Sequence, residues 1–228
     1  MDFRVEIDSS LPVTHGGETF VLERDGARRT LRIHDYDDVF AVPGLYEHVV
    51  HDLLGCTSPR TLATSLARRV AAAGRAPSQV RCLDVGAGNG MSGAALRSVG
   101  LAPVVGLDVS PVAARAAARD RPGLYTDYVV AALGHVDVAA LVTRFGLTAL
   151  VSAGALTGGH IEPRVLAETW AAFAPGAWLA FTCAEQHADD ARAGFDDGTA
   201  FELDGRFLHR RLTSGAPVWY RVLVGRRT

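Results

Sequence analysis

One stretch limits the fold more than any other: Val80-Arg81-Cys82-Leu83-Asp84-Val85-Gly86-Ala87-Gly88-Asn89-Gly90-Met91-Ser92-Gly93. A short run of buried-strand character ends in an acid and breaks into alternating glycines. Glycine in such a turn lets bare backbone approach a ligand that a side chain would strike. A turn of this kind directly after a strand belongs at the carboxyl edge of a doubly wound parallel sheet. The flanking pattern agrees, because strand-like and helix-like segments alternate from residue 58 onward. Ser58-Pro59 gives an N-cap with proline at the first helical position, and Leu62, Leu66 and Val70 then form one stripe that ends near Gly74. Ser110-Pro111 repeats the cap signal. Strands are expected at about 80–85, 147–153 and 178–183, with a helix at 162–173.

Two frames can be laid on the glycines. Gly88-Asn89-Gly90-Met91-Ser92-Gly93 satisfies the dinucleotide pattern, with Asp108 twenty positions past Gly88. That match is weak alone, since its first glycine belongs at the tight turn after the strand, where Gly86 stands. The frame acid-x-Gly-x-Gly-x-Gly fits from Asp84 to Gly90 without a gap. A carboxylate there would repel a pyrophosphate, but it suits the cationic methionine end of S-adenosylmethionine.

Residues 83–90 resemble motif I of class I S-adenosylmethionine-dependent methyltransferases. Val104-Val105-Gly106-Leu107-Asp108-Val109-Ser110 resembles the second strand of that family and its terminal acid. Gly123-Leu124-Tyr125-Thr126-Asp127-Tyr128, followed by 129–133, is similar to the third strand and its lead-in. Ala174-Pro175-Gly176-Ala177 resembles the turn before strand five. The likeness covers roughly two-thirds of the 228 residues and is to small-molecule enzymes of the Williams–Beuren-region type. It implies S-adenosyl-L-methionine as cofactor, held by Tyr36, Asp84, Gly86, Ala87, Gly88, Gly90, Asp108, Val109, Ala132, Leu133 and Ser152. The glycines would admit the methionine end and Asp84 would orient it. Asp108 would accept from both ribose hydroxyls, for which its two oxygens suffice. Val109 would lie against adenine. One position departs from the family: an acid that accepts from the adenine amino group is missing from Ala131-Ala132-Leu133. Adenine would then rest on backbone and apolar contacts, or on a group from Gly134-His135.

The fold expected is Rossmann-like α/β, a doubly wound seven-stranded sheet in one domain, 1–228. Residues 58–228 form the cofactor-binding core. Alternating runs at 201–212 and 218–224, joined across Ser214-Gly215, read as a C-terminal antiparallel hairpin. Residues 1–57 form an N-terminal hairpin and cap. Runs at 19–23 and 29–33 flank Asp25-Gly26, a tight-turn signal. The aromatics Tyr36, Phe40 and Tyr46 follow; they either cover the cofactor or pack the hairpin onto the core.

A net charge of −2 gives no electrostatic reason to bind nucleic acid or an anionic membrane. No apolar run is long enough to span a bilayer, and the start lacks the character of a signal peptide. A cytoplasmic setting and a small-molecule acceptor are expected, and a homodimer is left open. The 23 basic side chains are all arginine. The pairs Arg28-Arg29, Arg68-Arg69, Arg210-Arg211 and Arg226-Arg227 are dispersed and read as solvated surface. Of the three cysteines, Cys82 and Cys183 read as small core residues.

Catalysis is expected at the end of strand four, in Val151-Ser152-Ala153-Gly154-Ala155-Leu156-Thr157-Gly158-Gly159-His160. The Asn/Asp-Pro-Pro-Tyr motif of amino methyltransferases acting on adenine or glutamine is missing, which speaks against nucleic-acid and translation-factor substrates. No aspartate ends the strand, which speaks against the metal-dependent catechol type. His160 is the candidate base. No metal is expected, because His48 and His51 share a helical face without an evident third ligand. Asp189-Asp190 and Asp196-Asp197 read as solvated loop carboxylates. Two rivals remain: a non-catalytic S-adenosylmethionine-binding or interaction protein, and a nicotinamide-dependent oxidoreductase.

Overall fold

The computed structural model describes every residue except 1, 11, 12, 15, 157–160, 196 and 197, and all side chains of the rest but that of Pro163. The described chain divides into two compact units, and the division does not follow sequence order.

The smaller unit joins Met1–Thr57 to Leu208–Trp219. Strands β1 (Arg4–Glu6), β2 (Thr19–Arg24) and β3 (Ala27–Arg32) make an antiparallel sheet in that order. Asp25 and Gly26 join β2 to β3 with φ of 53° and 75°. Left-handed backbone at both positions is what a two-residue hairpin turn requires. Phe20, Leu22 and Leu31 of the sheet pack with Val39 of helix α1 (Tyr36–Ala41) and with Val49 and Val50 of a π-helical turn at Glu47–Leu53. Tyr36 stacks on Phe40 at 5.7 Å, and Phe40 lies 4.9 Å from Tyr46. Burial pushes the Tyr46 phenol well above its usual range.

This unit corrects one expectation. Arg210, read as surface, is 3% exposed and forks onto a fully buried Glu18 at 2.8 and 2.6 Å. The Thr213 amide donates to the same carboxylate at 3.0 Å, and the Arg211 carbonyl accepts from Arg210. A buried charge is tolerable only when paired and hydrogen-bonded in this way. The pair at the end of the chain is not plain surface either, since Arg226 lies over the Trp178 ring and Arg227 over that of Trp170.

The larger unit spans Ser58–Phe207 and Tyr220–Thr228. It begins with α2 (Ser58–Ala72), which includes Ser58 instead of starting after it. There follow β4 (Arg81–Val85), α3 (Met91–Ser98), β5 (Ala102–Asp108), α4 (Pro111–Asp120), β6 (Asp127–Val130) and α5 (Val138–Phe145). Then come β7 (Ala149–Ala153), α6 (Pro163–Trp170), β8 (Trp178–Ala184), α7 (Ala188–Ala193), β9 (Thr199–Arg211) and β10 (Pro217–Arg227). The tip of the β9–β10 hairpin lies in the smaller unit. Ser110 caps α4 by accepting from Val112 and Ala113, as its sequence position implies. Asp137 caps α5, which Gly146 ends in the left-handed region.

The seven strands run in the order β6-β5-β4-β7-β8-β10-β9. The pairs from β6 to β8 are parallel, and β10 enters antiparallel beside β8. Alternating side chains divide the core between the two faces. Leu83, Val85, Leu150 and Phe181 pack toward α5 and α6, whereas Cys82, Val151 and Ala180 pack toward Leu62, Leu66 and Val70 of α2. Cys82 and Cys183 are fully buried, and burial raises both thiols, Cys183 to about 12. The third strand is shorter than expected: pairing with β5 ends at Val130, and Leu133 sits in a following 3-10 turn.

The order reverses at β4, with β5 on one side and β7 on the other. Ligands of open α/β sheets bind beyond the carboxyl ends of the strands at such a point. The glycine turn leaves β4 there.

Candidate cofactor site

All three turn glycines take left-handed backbone, with φ of 72° at Gly86, 53° at Gly88 and 89° at Gly90. Part of the reason for glycine is internal packing. A Cβ at Gly86 would stand 2.6 Å from that of Ala155, and one at Gly90 would stand 2.8 Å from Leu124. The turn is also tied down through its amides. Gly86 and Ala87 both donate to the Leu107 carbonyl, and Gly88 donates to Asp108 Oδ2 at 2.9 Å. Tyr128 donates to the Gly88 carbonyl at 2.6 Å, and Arg121 to that of Asn89 at 2.8 Å. Arg97 holds the Gly123 and Leu124 carbonyls in the adjoining loop.

Asp84 is fully buried under this turn. Ser92 and Tyr125 both donate to its Oδ2 at 2.6 Å, while its Oδ1 is buried with no hydrogen-bond partner. Burial pushes the carboxyl up to about 6; the Ser92 and Tyr125 hydroxyls work against that, Asp108 adds to it, and the Gly93 amide lowers it. The first turn of α3 therefore already faces a carboxylate. A helix N-terminus is where a phosphate would bind.

This carboxyl gives a stability prediction. Its folded pKa lies above the ordinary carboxylate value, so the folded state binds the extra proton and stability falls as pH rises through about 6. Asp84→Asn is expected to be more stable than the parent at neutral pH by about 3 kcal/mol, which is what holding this carboxyl at about 6 instead of its ordinary value costs the folded parent. The difference should close as pH falls toward 4, and denaturant titrations at several pH values would measure it.

The remaining predicted residues take these places. Asp108 ends β5, partly exposed, with Oδ1 accepting from the Ser110 amide at 2.9 Å. Val109 beside it is 70% exposed, and Val130, which sequence reading did not single out, is 44% exposed on the paired strand. Ala132 is exposed, whereas Leu133 is buried in the core. Ser152 is fully buried on β7 with no partner for its hydroxyl. Tyr36 belongs to the smaller unit, and His160 lies outside the described residues, as do Asp196 and Asp197. Asp189 is 93% exposed on α7, 3.5 Å from Arg221. His48 lies 3.5 Å from Asp52, and the His51 ring contacts the Cys56 carbonyl at 3.1 Å.

Sequence reading missed Tyr125 and Tyr128 as parts of the site. A signal for them exists: Gly93 and Gly106 leave the space that these rings fill, since a Cβ there would stand 2.4 Å from the Tyr125 hydroxyl or 2.9 Å from the Tyr128 ring.

No family model matches the chain, and no curated protein is similar to it in sequence. Solved structures do match. An S-adenosylmethionine-dependent methyltransferase from Anabaena variabilis is 13% identical, with TM-score 0.60 over 87% of this chain and 96% of its own. The 1,6-didemethyltoxoflavin-N1-methyltransferase of Burkholderia thailandensis, solved with 1,6-didemethyltoxoflavin and S-adenosylhomocysteine, is 20% identical, with TM-score 0.54 over 92% and 96%. The magnesium protoporphyrin IX methyltransferase of Synechocystis, solved with S-adenosylmethionine, is 17% identical, with TM-score 0.53 over 74% and 79%. The chain has the class I S-adenosylmethionine-dependent methyltransferase fold. No helix among the described residues is long and apolar enough to cross a membrane.

Proposed function

We propose that the chain is an S-adenosylmethionine-dependent methyltransferase that acts on an O or N nucleophile of a small molecule. The observation that carries this reading is Asp84. A buried carboxylate with one unpartnered oxygen occupies the helix terminus where a dinucleotide would place its pyrophosphate. The amides of Gly86, Ala87 and Gly88 are likewise committed to β5 and not offered to an anion. A ligand with a cationic amino-acid end fits this charge arrangement.

S-adenosylmethionine would supply a methyl group activated by its sulfonium. Asp84 would balance the positive end and Asp108 would hold the ribose. The exposed Val109 and Val130 flank Asp108 and Ala132 as an apolar rest for the base. Displacement at a methyl group needs alignment and exclusion of water more than covalent help from the protein. An acceptor that must lose a proton would still need a base, and His160 follows strand β7 at the expected place in sequence.

Calorimetry with S-adenosylmethionine, S-adenosylhomocysteine and NAD tests the cofactor. Binding of the first two and not the third is expected, and binding of NAD alone would sink the reading. Turnover in an acceptor screen separates an enzyme from a non-catalytic binder. With an acceptor in hand, His160→Ala is expected to lower kcat by about a hundredfold and to remove the acidic limb of the pH profile. An unchanged profile would end the role for His160.

A further inference from the structure

The glycine turn is gripped by two tyrosines, Tyr125 of the lead-in to β6 and Tyr128 of β6 itself. Tyr128 holds the Gly88 carbonyl, and Tyr125 reaches past it to Asp84. The rings meet edge to face at 5.7 Å. Tyr125 fills the space above Gly93 and touches the space above Gly106, so its ring is fixed by packing before its hydroxyl makes any bond. The Ser92 hydroxyl converges on the same carboxylate oxygen from the first turn of α3.

Two donors on one oxygen lock the rotation of the carboxylate. We propose that Tyr125 is a positioning residue for cofactor binding: with Ser92 it saturates Asp84 Oδ2, so that the unpartnered Oδ1 is the oxygen left for the cationic end of the ligand. This rests on the cofactor reading above. The two hydroxyls also favour the charged form of Asp84 against its burial. The other groups that bias its charge are Asp108 on β5, which disfavours it, and the Gly93 amide of α3, which favours it; Tyr128 on β6 and Cys82 on its own strand stay protonated beside it, and α2 packs against this face with Leu62 and Leu66, which carry no charge.

The test compares S-adenosylhomocysteine, which has the ammonium group, with methylthioadenosine, which lacks the whole amino-acid end. Calorimetry is run between about pH 5 and pH 8, bracketing the Asp84 transition. Tyr125→Phe keeps the ring and removes the hydroxyl. It is expected to weaken S-adenosylhomocysteine about tenfold, the value of one hydrogen bond to a charged group, and to leave methylthioadenosine within about twofold. The pH midpoint for S-adenosylhomocysteine should move upward, and Ser92→Ala should move it the same way. In an Asp84→Asn background, Tyr125→Phe should add almost nothing, because both changes act through one carboxylate. Equal loss of both ligands, an unmoved midpoint or full additivity with Asp84→Asn would overturn the proposal while the cofactor reading stands. Failure of the parent protein to bind either ligand would overturn both.

Discussion

Asp108→Ala is expected to weaken S-adenosylhomocysteine binding by about a hundredfold or more, and calorimetry on the folded variant would measure it. Two losses combine. Hydrogen bonds from the ribose diol to a carboxylate contribute about 1.5–3 kcal/mol each, and tenfold in affinity corresponds to about 1.4 kcal/mol. The variant also frees the Gly88 amide, now tied to Oδ2, and the Ser110 amide, now tied to Oδ1. Asp108→Asn separates the two. It keeps one acceptor oxygen for the turn but cannot offer two charged acceptors to a diol, so an intermediate loss is expected. An Asp108→Ala protein with parental affinity would remove Asp108 from the site and return it to a role in the turn alone.

The second large effect concerns stability. Arg210→Met leaves the Glu18 carboxylate buried without its guanidinium, and Glu18→Leu strands Arg210 in the same way. Each single change is expected to cost about 3–5 kcal/mol, because an uncompensated buried charge is what remains. The double change Glu18→Leu with Arg210→Met should recover much of that loss, since two apolar side chains no longer need each other. Urea titrations of the four proteins give the comparison. Single losses below about 1 kcal/mol would place the pair in the weak class of surface ion pairs.

These two residues show what could and could not be read from the chain. The end of β5 at Asp108 was legible because an acid closing an apolar run just before Ser-Pro carries its own local context, whereas its role at the ribose is what the resemblance implies. The strand alternation, the turn at Asp25-Gly26 and the cap at Ser110 were legible for the same reason: period and turn chemistry are local. Arg210 was not. Nothing near Arg210-Arg211 distinguishes the buried side chain from the exposed one, and its partner lies 192 positions away. The tyrosine grip was half visible. Gly93 and Gly106 stand in the sequence, but a glycine shows that space is needed and not what fills it. The sheet order, with β10 slipped between β8 and β9, needs pairing information that no single segment holds. The proposed base, His160, lies outside the described residues.

The Glu18–Arg210 pair also sets a timetable for biosynthesis. Chains grow from the N-terminus at roughly 5–20 residues per second, so the 192 positions between the two residues take about 10–40 s to make. Through that interval the smaller unit lacks Leu208–Trp219, and Glu18 has no guanidinium to bury against. Its first strands are therefore made early and completed late, after the last parallel strand of the larger unit has been synthesised. A nascent chain halted before residue 208 should leave the opening segment open to protease, and release of the full chain should close it.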